Sequence, residues 1–393
     1  MLSILYIMIN KHEKYIFITF YIFAPAAGWG VYMEQSVIES IGRLRSELYK
    51  LAERSGEEKK TKACLMEFLR NHTSLRLQDE GQWFCAMHEE PEAAETIAFR
   101  AEMDALPFGD GAAHLCGHDG HMAVLAGLGL LLEHKKVGRN IVLIFQHAEE
   151  NGTGGKVCCQ ALETYRVSRV YSFHNIPGWP EGAVLLRYGT FACASRGMIL
   201  SLTGAPCHAA YPEHGRNPGF AVARFISALP ALANRSDYRG LTMATLIGAE
   251  IGSKAFGSAA EKAEVWLTLR AWYEDDLNLL ISSIEETAGM EAARDDLEVS
   301  FYFDNVFPAT VSDRGALAQV KKICRKAGLE YMEVPEPFRW SEDFGHYGAV
   351  APAVMVGIGA GTEWPHLHTE NYTFNDSILP VSLTLFSALA EFG

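Results

Sequence analysis

Positive charge is scarce in this chain. Lys and Arg number 34 against 48 Asp and Glu, a formal net charge of −14 at pH 7. No run of Lys or Arg interrupts that balance. Phosphate backbones are held by clustered cations, so nucleic acid is not an expected partner. Internal repeats and low-complexity tracts are also absent, which excludes solenoids and low-complexity disorder as the main architecture. There is no cysteine framework either: the eight cysteines are scattered, and only Cys158 and Cys159 are adjacent. A chain of 393 residues buries enough surface to fold without disulfide staples. The cysteines therefore read as free thiols in a reducing compartment, and the protein as cytoplasmic. Long hydrophobic runs are nearly missing. Two lie in residues 1–32, split by Lys11 and Lys14. The second, Tyr15 to Ala24, is too short to span a bilayer comfortably, so no membrane is expected as a partner. It does have the length of a signal-peptide core, and Ala24-Pro25-Ala26-Ala27 resembles a cleavage site. The blander reading is a non-native extension, with Met33 as the true start.

From Met33 onward the chain is periodic. An amphipathic helix opens it, with Ile38, Ile41, Leu44 and Leu48 on one face. A second helix follows over "TKACLMEFLRNH". Then come the strand "TIAFRAEMD", the helix "HMAVLAGLGLLLEHKK", the apolar strand "NIVLIFQ", the helix "GGKVCCQALETY" and the strand "RVYSF". Buried strands alternating with helices predict an α/β domain whose central sheet is covered on both faces. Near Cys193 the pattern changes to β-α-β-β-α-β, the order of a ferredoxin-like α+β sandwich. From about Asp304 the α/β style returns. The expected organisation is a first part of the main domain over 33–193, an inserted domain over 194–304, and a second part over 305–393.

The chemistry-bearing residues collect at strand ends. Asp104 ends "TIAFRAEMD", Glu149 and Glu150 follow "NIVLIFQ", and His174 follows "RVYSF". His366 and His368 lie in the loop after "PAVMVGIGA". Open α/β sheets build ligand sites at the carboxyl ends of their strands, so four strands deliver metal-competent side chains to one edge. The densest stretch is "HLCGHDGH", residues 114–121, where Gly117 lets the chain turn tightly between Cys116 and His118. Thiolate, imidazole and carboxylate together make a mixed donor set for a borderline ion such as zinc. Asp104 and Asp119 are candidate acceptors for histidine N–H groups. Two adjacent glutamates in extended chain point opposite ways, so one can bind metal while the other faces a water. Spacing alone does not choose between His366 and His368, and it leaves His114 and His121 as structural histidines.

Seven segments occur in a fixed order: "RAEMDALP", "HLCGHDGH", "LIFQHAEENGTGG", "FHNIPG", "GAPCHAAYPEHGRNP", "WSEDFGHYG" and "LHTENYTF". Together they resemble the two-metal amidohydrolases of the aminoacylase–carboxypeptidase metallopeptidase family. The subgroup they resemble most holds indole-acetyl-amino-acid hydrolases, hippurate hydrolases and N-acyl-amino-acid deacylases. The resemblance runs from about Met33 to the end. It implies a zinc-peptidase-like catalytic domain with a central mixed sheet and an inserted lid and dimerisation domain. It implies two divalent ions per chain, zinc or manganese with cobalt also admissible, bridged by Cys116. His118, Glu150, His174 and His368 would be the other ligands, Glu149 the general base, and Asp104 the group that orients a ligand. His208 would support the oxyanion and Arg270 would contact substrate. The implied reaction is hydrolysis of the amide bond of an N-acyl amino acid or related small molecule by a homodimer joined through the insert. A metallo-carboxypeptidase or dipeptidase is the alternative within that chemistry. A catalytically impaired metal- or ligand-binding protein is the alternative outside it.

Three departures from the family pattern stand out. Gly257 occupies the position where an asparagine is expected. Pro206 and Cys207 replace the usual glycines before His208. His147 stands where the family has proline.

Overall fold

The computed structural model describes residues 3–11, 14–22 and 35–393. Of the signal-like or extraneous segment 1–32, two strands are described. Ser3–Lys11 runs antiparallel to Lys14–Ile22, which pairs with Tyr331–Glu333. Residues 1–2, 12–13 and 23–32 lie outside the described residues, as do 33 and 34. Among the described residues no helix is long and apolar enough to cross a membrane.

The chain divides into two units. The first comprises 1–191, 310–337 and 343–393. Its centre is a mixed sheet in which Ala353–Gly359, Val167–Ile176, Thr96–Glu102 and Asn140–Gln146 run parallel side by side. Phe84–His88 flanks them antiparallel on one side, with Arg76–Asp79 antiparallel to it in turn, and Val184–Leu186 flanks them antiparallel on the other. The central strands are buried almost throughout, which is why they read as continuous apolar runs rather than alternating ones. Helix His118–Leu132 is apolar around nearly its whole circumference and correspondingly buried. It packs against Gln35–Lys50, which buries Ile41, Leu44 and Leu48. A Cβ on Gly127 would stand 2.9 Å from Ile41 Cγ2, so a glycine is what lets the two helices approach there. Each large apolar side chain buried in this way contributes about 1.5–3 kcal/mol before the entropy of ordering is subtracted.

The second unit comprises 192–309 and 338–342. Its four strands are antiparallel in the order Thr242–Ile251, Lys262–Ala271, Ala194–Thr203, Glu298–Phe307. Helices Gly219–Ala233 and Glu274–Arg294 supply Val222, Phe225, Leu277, Leu280 and Ile284 to a core shared with inward residues of the strands. This is the ferredoxin-like arrangement. Phe338–Glu342 belongs here because the Cys193 N–H donates to the Phe338 and Trp340 carbonyls. The sequence pattern grouped that short segment with the second half of the main domain, since nothing local marks it.

Two local expectations differ from the structure. "GGKVCCQALETY" forms two short helices, Gly154–Cys158 and Gln160–Thr164, rather than one. The strands Arg76–Asp79 and Phe84–His88 are additional. The first is only half-buried and four residues long, too short to show a periodicity of its own.

Candidate metal centre

Each donor reaches the same edge of the first unit by a different route. Cys116 and His118 flank Gly117, whose φ is +91°. A Cβ there would lie 2.3 Å from Asn175 Oδ1 and 2.6 Å from Tyr372 Oη, so both the twist and the space demand glycine. Glu149 and Glu150 lie on a turn just beyond Asn140–Gln146, introduced by Ala148 at φ +50°. His174 lies within the strand Val167–Ile176, near its carboxyl end, rather than after it. His368 sits in a loop at φ +65°, pinned by its N–H to the Leu115 carbonyl at 2.8 Å.

The donor atoms form two overlapping sets that share the sulfur. Cys116, His118 and His174 make one; Cys116, Glu150 and His368 make the other, with each set's ligand atoms within 4.8 Å of one another. Cys116 Sγ is 3.5 Å from His174 Nε2 and 3.4 Å from His368 Nε2. Glu150 closes the arrangement, with Oε1 3.8 Å from His118 Nε2 and Oε2 3.9 Å from His368 Nε2. Metal–ligand bonds of about 2.0–2.3 Å imply tetrahedral edges of about 3.3–3.8 Å. The observed spacings of 3.4–3.9 Å are close to such edges. Glu150 Oε1 is buried and accepts no hydrogen bond, an expensive arrangement unless a cation is its partner. The donor set fits a borderline divalent metal.

The neighbours hold the imidazoles in the ligating tautomer. His118 Nδ1–H donates to the Asp104 carbonyl at 3.0 Å, with Asp104 Oδ1 3.3 Å away. His174 Nδ1–H donates to the Asn175 carbonyl at 2.8 Å. In both rings Nε2 faces the cluster. Asp104 also accepts from the Glu150 N–H and from Ser55 Oγ, tying the end of one strand to the turn after the next. Burial and the nearby His121 and His118 rings hold His174 well below the usual imidazole range, so it is neutral and ready to ligate. Burial, opposed by His118 and reinforced by Asp104, pushes the Glu150 carboxyl up to about 7. A bound cation reverses that penalty.

Other expectations are placed as follows. His366 is exposed and outside both donor sets. Both Glu149 and Glu150 bring an oxygen into a set with His118; a turn, unlike extended chain, lets adjacent side chains converge. Asp119, expected as an acceptor for a histidine N–H, instead faces Arg45, with Oδ2 3.6 Å from Nη1. One residue along the helix from His118 turns the side chain about 100°, toward the neighbouring helix. Burial, opposed by Arg45, pushes Asp119 up to about 7. His121, read as merely structural, has Nδ1 2.8 Å from Glu102 Oε2 and Nε2 2.6 Å from Asn175 Oδ1. His147 is buried with Nδ1 3.5 Å from Cys158 Sγ. Burial pushes its imidazole below the usual range.

Within the second unit, His208 lies on an exposed loop, where Nδ1 accepts the Ala210 N–H at 3.1 Å. Its backbone bridges to Ser258. A Cβ at Gly257 would meet nothing within 4 Å, so the position has room for the asparagine it lacks. Arg270 donates from Nη1 to Ser341 Oγ at 2.8 Å and to the Arg339 carbonyl at 3.2 Å. Among the described residues of this unit no carboxylate forms an ion pair with it.

Comparison with known proteins gives this geometry its relatives. The model of peptidase family M20/M25/M40 matches residues 98–391. An uncharacterized hydrolase of Staphylococcus aureus strain USA300 is 26% identical over 368 residues, covering 87% of this chain and 95% of its own. Among solved structures, the YXEP protein of Bacillus subtilis, described as a dinuclear metal-binding peptidase of the M20 family, superposes with a TM-score of 0.78 at 22% identity. That match covers 91% of this chain and 98% of the other. The aminobenzoyl-glutamate utilization protein of Klebsiella pneumoniae superposes with a TM-score of 0.72 at 19% identity, covering 91% and 97%.

Proposed function

The chain belongs to peptidase family M20/M25/M40, and from that premise we propose that it is a metal-dependent hydrolase of amide bonds in N-acyl amino acids or related small molecules. The convergence of four donors around the sulfur of Cys116, with a further carboxylate beside them, supports this reading most. Cys116, His118, Glu150, His174 and His368 would hold two divalent ions, zinc or manganese, with cobalt also admissible; the thiolate favours zinc. When bound, such ions lower the pKa of water toward about 7 and polarise a carbonyl. Glu149 takes the proton from the attacking water and returns it to the departing amine. Asp104 keeps His118 in its tautomer. His208 supports the negative oxygen of the tetrahedral intermediate, a contribution worth about 3 kcal/mol. Arg270, whose hydrogen-bond acceptors among the described residues of its own unit are the neutral Arg339 carbonyl and Ser341 hydroxyl, is assigned to a substrate carboxylate.

The related proteins described as a peptidase and as an aminobenzoyl-glutamate utilization protein both suit an amide carrying such a carboxylate. The homodimer is proposed through the second unit. Its edge strand Thr242–Ile251 exposes Leu246, Ile247 and Ile251, a pattern that strand edges otherwise avoid. The eight cysteines are free in the structure, in keeping with a cytoplasmic location.

The test is release of free amino acid from a panel of N-acetyl amino acids, N-benzoyl amino acids and dipeptides, with zinc, manganese or cobalt added. Activity on the acylated substrates that Glu149→Gln lowers about 100- to 10,000-fold to a measurable residual rate, with metal retained, supports the proposal. Activity confined to dipeptides makes the protein a dipeptidase. Absence of turnover on every substrate by a fully metallated protein refutes the assignment.

A further inference from the structure

The side chain assigned as general base is not held by the metal-ligand residues alone. A buried polar network lies beneath it. Strands Thr96–Glu102 and Asn140–Gln146 are paired in parallel register, with Glu102 beside Gln146. Arg100 and Glu102 are two residues apart and so share a face of the sheet. Both are fully buried. The Arg100 guanidinium donates through Nε to Gln146 Oε1 at 2.8 Å, through Nη1 to Glu102, and through Nη2 to Asp343 Oδ1 at 2.6 Å. Gln146 Nε2 donates to both Asp343 oxygens, at 2.8 and 2.7 Å. The Gly155 N–H donates to Asp343 Oδ2 at 2.6 Å. Asp343 is thereby held from three directions. Its own N–H donates to Glu149 Oε1 at 3.2 Å.

The chain is shaped to allow this. A Cβ on Gly155 would lie 2.5 Å from the Asp343 carbonyl oxygen and 2.8 Å from its Cγ. A Cβ on Gly154 would lie 1.6 Å from the His147 carbonyl oxygen. Only paired glycines let the turn that carries Glu149 and Glu150 close onto Asp343. In the other direction Glu102 holds His121, whose Nε2 lies 2.6 Å from Oδ1 of Asn175, the residue after His174. One cation and two acids with no solvent access contribute little net stability, because desolvation offsets their attraction. A satisfied network of this kind does confer fixed geometry.

We propose that Asp343, held by Arg100, Gln146 and Gly155, is a positioning residue that sets the carboxylate of Glu149 for proton transfer. This rests on the reading of Glu149 as the general base. Misplacing a reacting group by about 1 Å costs on the order of 100-fold in rate. Asp343→Asn keeps the volume but cannot accept from Arg100, Gln146 and Gly155 as the carboxylate does. Its kcat is expected to fall about 30- to 100-fold, with KM within about threefold of the parent and metal content unchanged.

The same substitution in a Glu149→Gln background is expected to lower kcat no further, because Asp343 acts through Glu149. A crystal structure of the metallated variant is expected to show the Glu149 carboxylate displaced by about 1 Å or more, or spread over rotamers. The proposal is overturned if kcat stays within about threefold of the parent, if the Glu149→Gln background shows the same further loss, or if Glu149 has not moved. Should Asp343→Asn not fold, Gln146→Met, which removes the two donations to Asp343 at similar volume, carries the same comparisons. A Glu149→Gln protein with full activity would refute the general-base reading instead, and the position of Glu149 in the Asp343 variant would still decide this inference.

Discussion

Glu58 should act as a pH-dependent liability that a single atom exchange removes. Its side chain is 3% exposed, and its Oε1 accepts both the Gly56 N–H and the Ala148 N–H at 2.8 Å. It therefore anchors the residue that introduces the Glu149–Glu150 turn. Burial, reinforced by the negative charge of Asp104, pushes its carboxyl from 4.5 up to about 7. In the unfolded chain Glu58 ionises near pH 4.5, whereas in the fold it keeps its proton to about 7. Between those values the native state binds a proton that the unfolded state has lost, so stability falls as pH rises. The stabilisation is fully present below about pH 4.5 and is gone above about 7. A shift of this size corresponds to about 3 kcal/mol over that window.

Glu58→Gln keeps the oxygen that accepts both N–H groups and removes the titration. It should match the parent within about 1 kcal/mol near pH 4 and exceed it by about 2–3 kcal/mol near pH 8. Urea unfolding of both proteins from pH 4 to 8, read as the difference at each pH, isolates Glu58, because every other titrating group is common to the pair. A difference that stays flat across that range would refute the reasoning. A gap that opens as pH falls would invert its sign.

Three further outcomes are expected. Gly117→Ala combines a left-handed backbone penalty with a Cβ 2.3 Å from Asn175 Oδ1; a loss of roughly 2–5 kcal/mol and weakened metal retention should appear in unfolding curves and elemental analysis. Chelation should abolish hydrolysis and lower thermal stability, since a ligand bound only by the native state stabilises it; restoring zinc, manganese or cobalt should recover both, and unaltered activity after complete metal removal would contradict the site. Arg270→Gln should raise KM for acyl amino acids more than 10-fold at nearly constant kcat, while leaving KM for amidated analogues that lack the free carboxylate nearly unchanged.

The legible and illegible parts of this molecule divide along sequence distance. Glu149, Glu150 and His174 could be marked as candidates because they stand at or just past the ends of strands that announce themselves locally, and strand ends of an α/β sheet share one edge. Gly117 could be recognised because a turn between two ligands needs a residue free of Cβ. The insert could be recognised because its strands alternate while those of the main sheet do not. Asp119 misled because its neighbours in sequence are histidines, whereas its neighbour in space is Arg45, 74 residues earlier in the chain. The Arg100–Asp343 contact spans 243 residues, and a buried arginine in "TIAFRAEMD" resembles any charged residue on a strand until the fold supplies its acids. His121 looked like packing because the helix around it is apolar.

The amino-acid order alone determined which residues are candidate donors, the periodicity of the elements carrying them and the break where a second unit is inserted, since hydrophobic period and turn chemistry are properties of neighbouring residues. Tertiary structure decided that Cys116, His118, Glu150, His174 and His368 lie close together, that Asp119 faces Arg45, and that Asp343 reaches the turn bearing Glu149. Those choices depend on distances across the fold. Burial makes each unsatisfied charge costly enough to select a single arrangement.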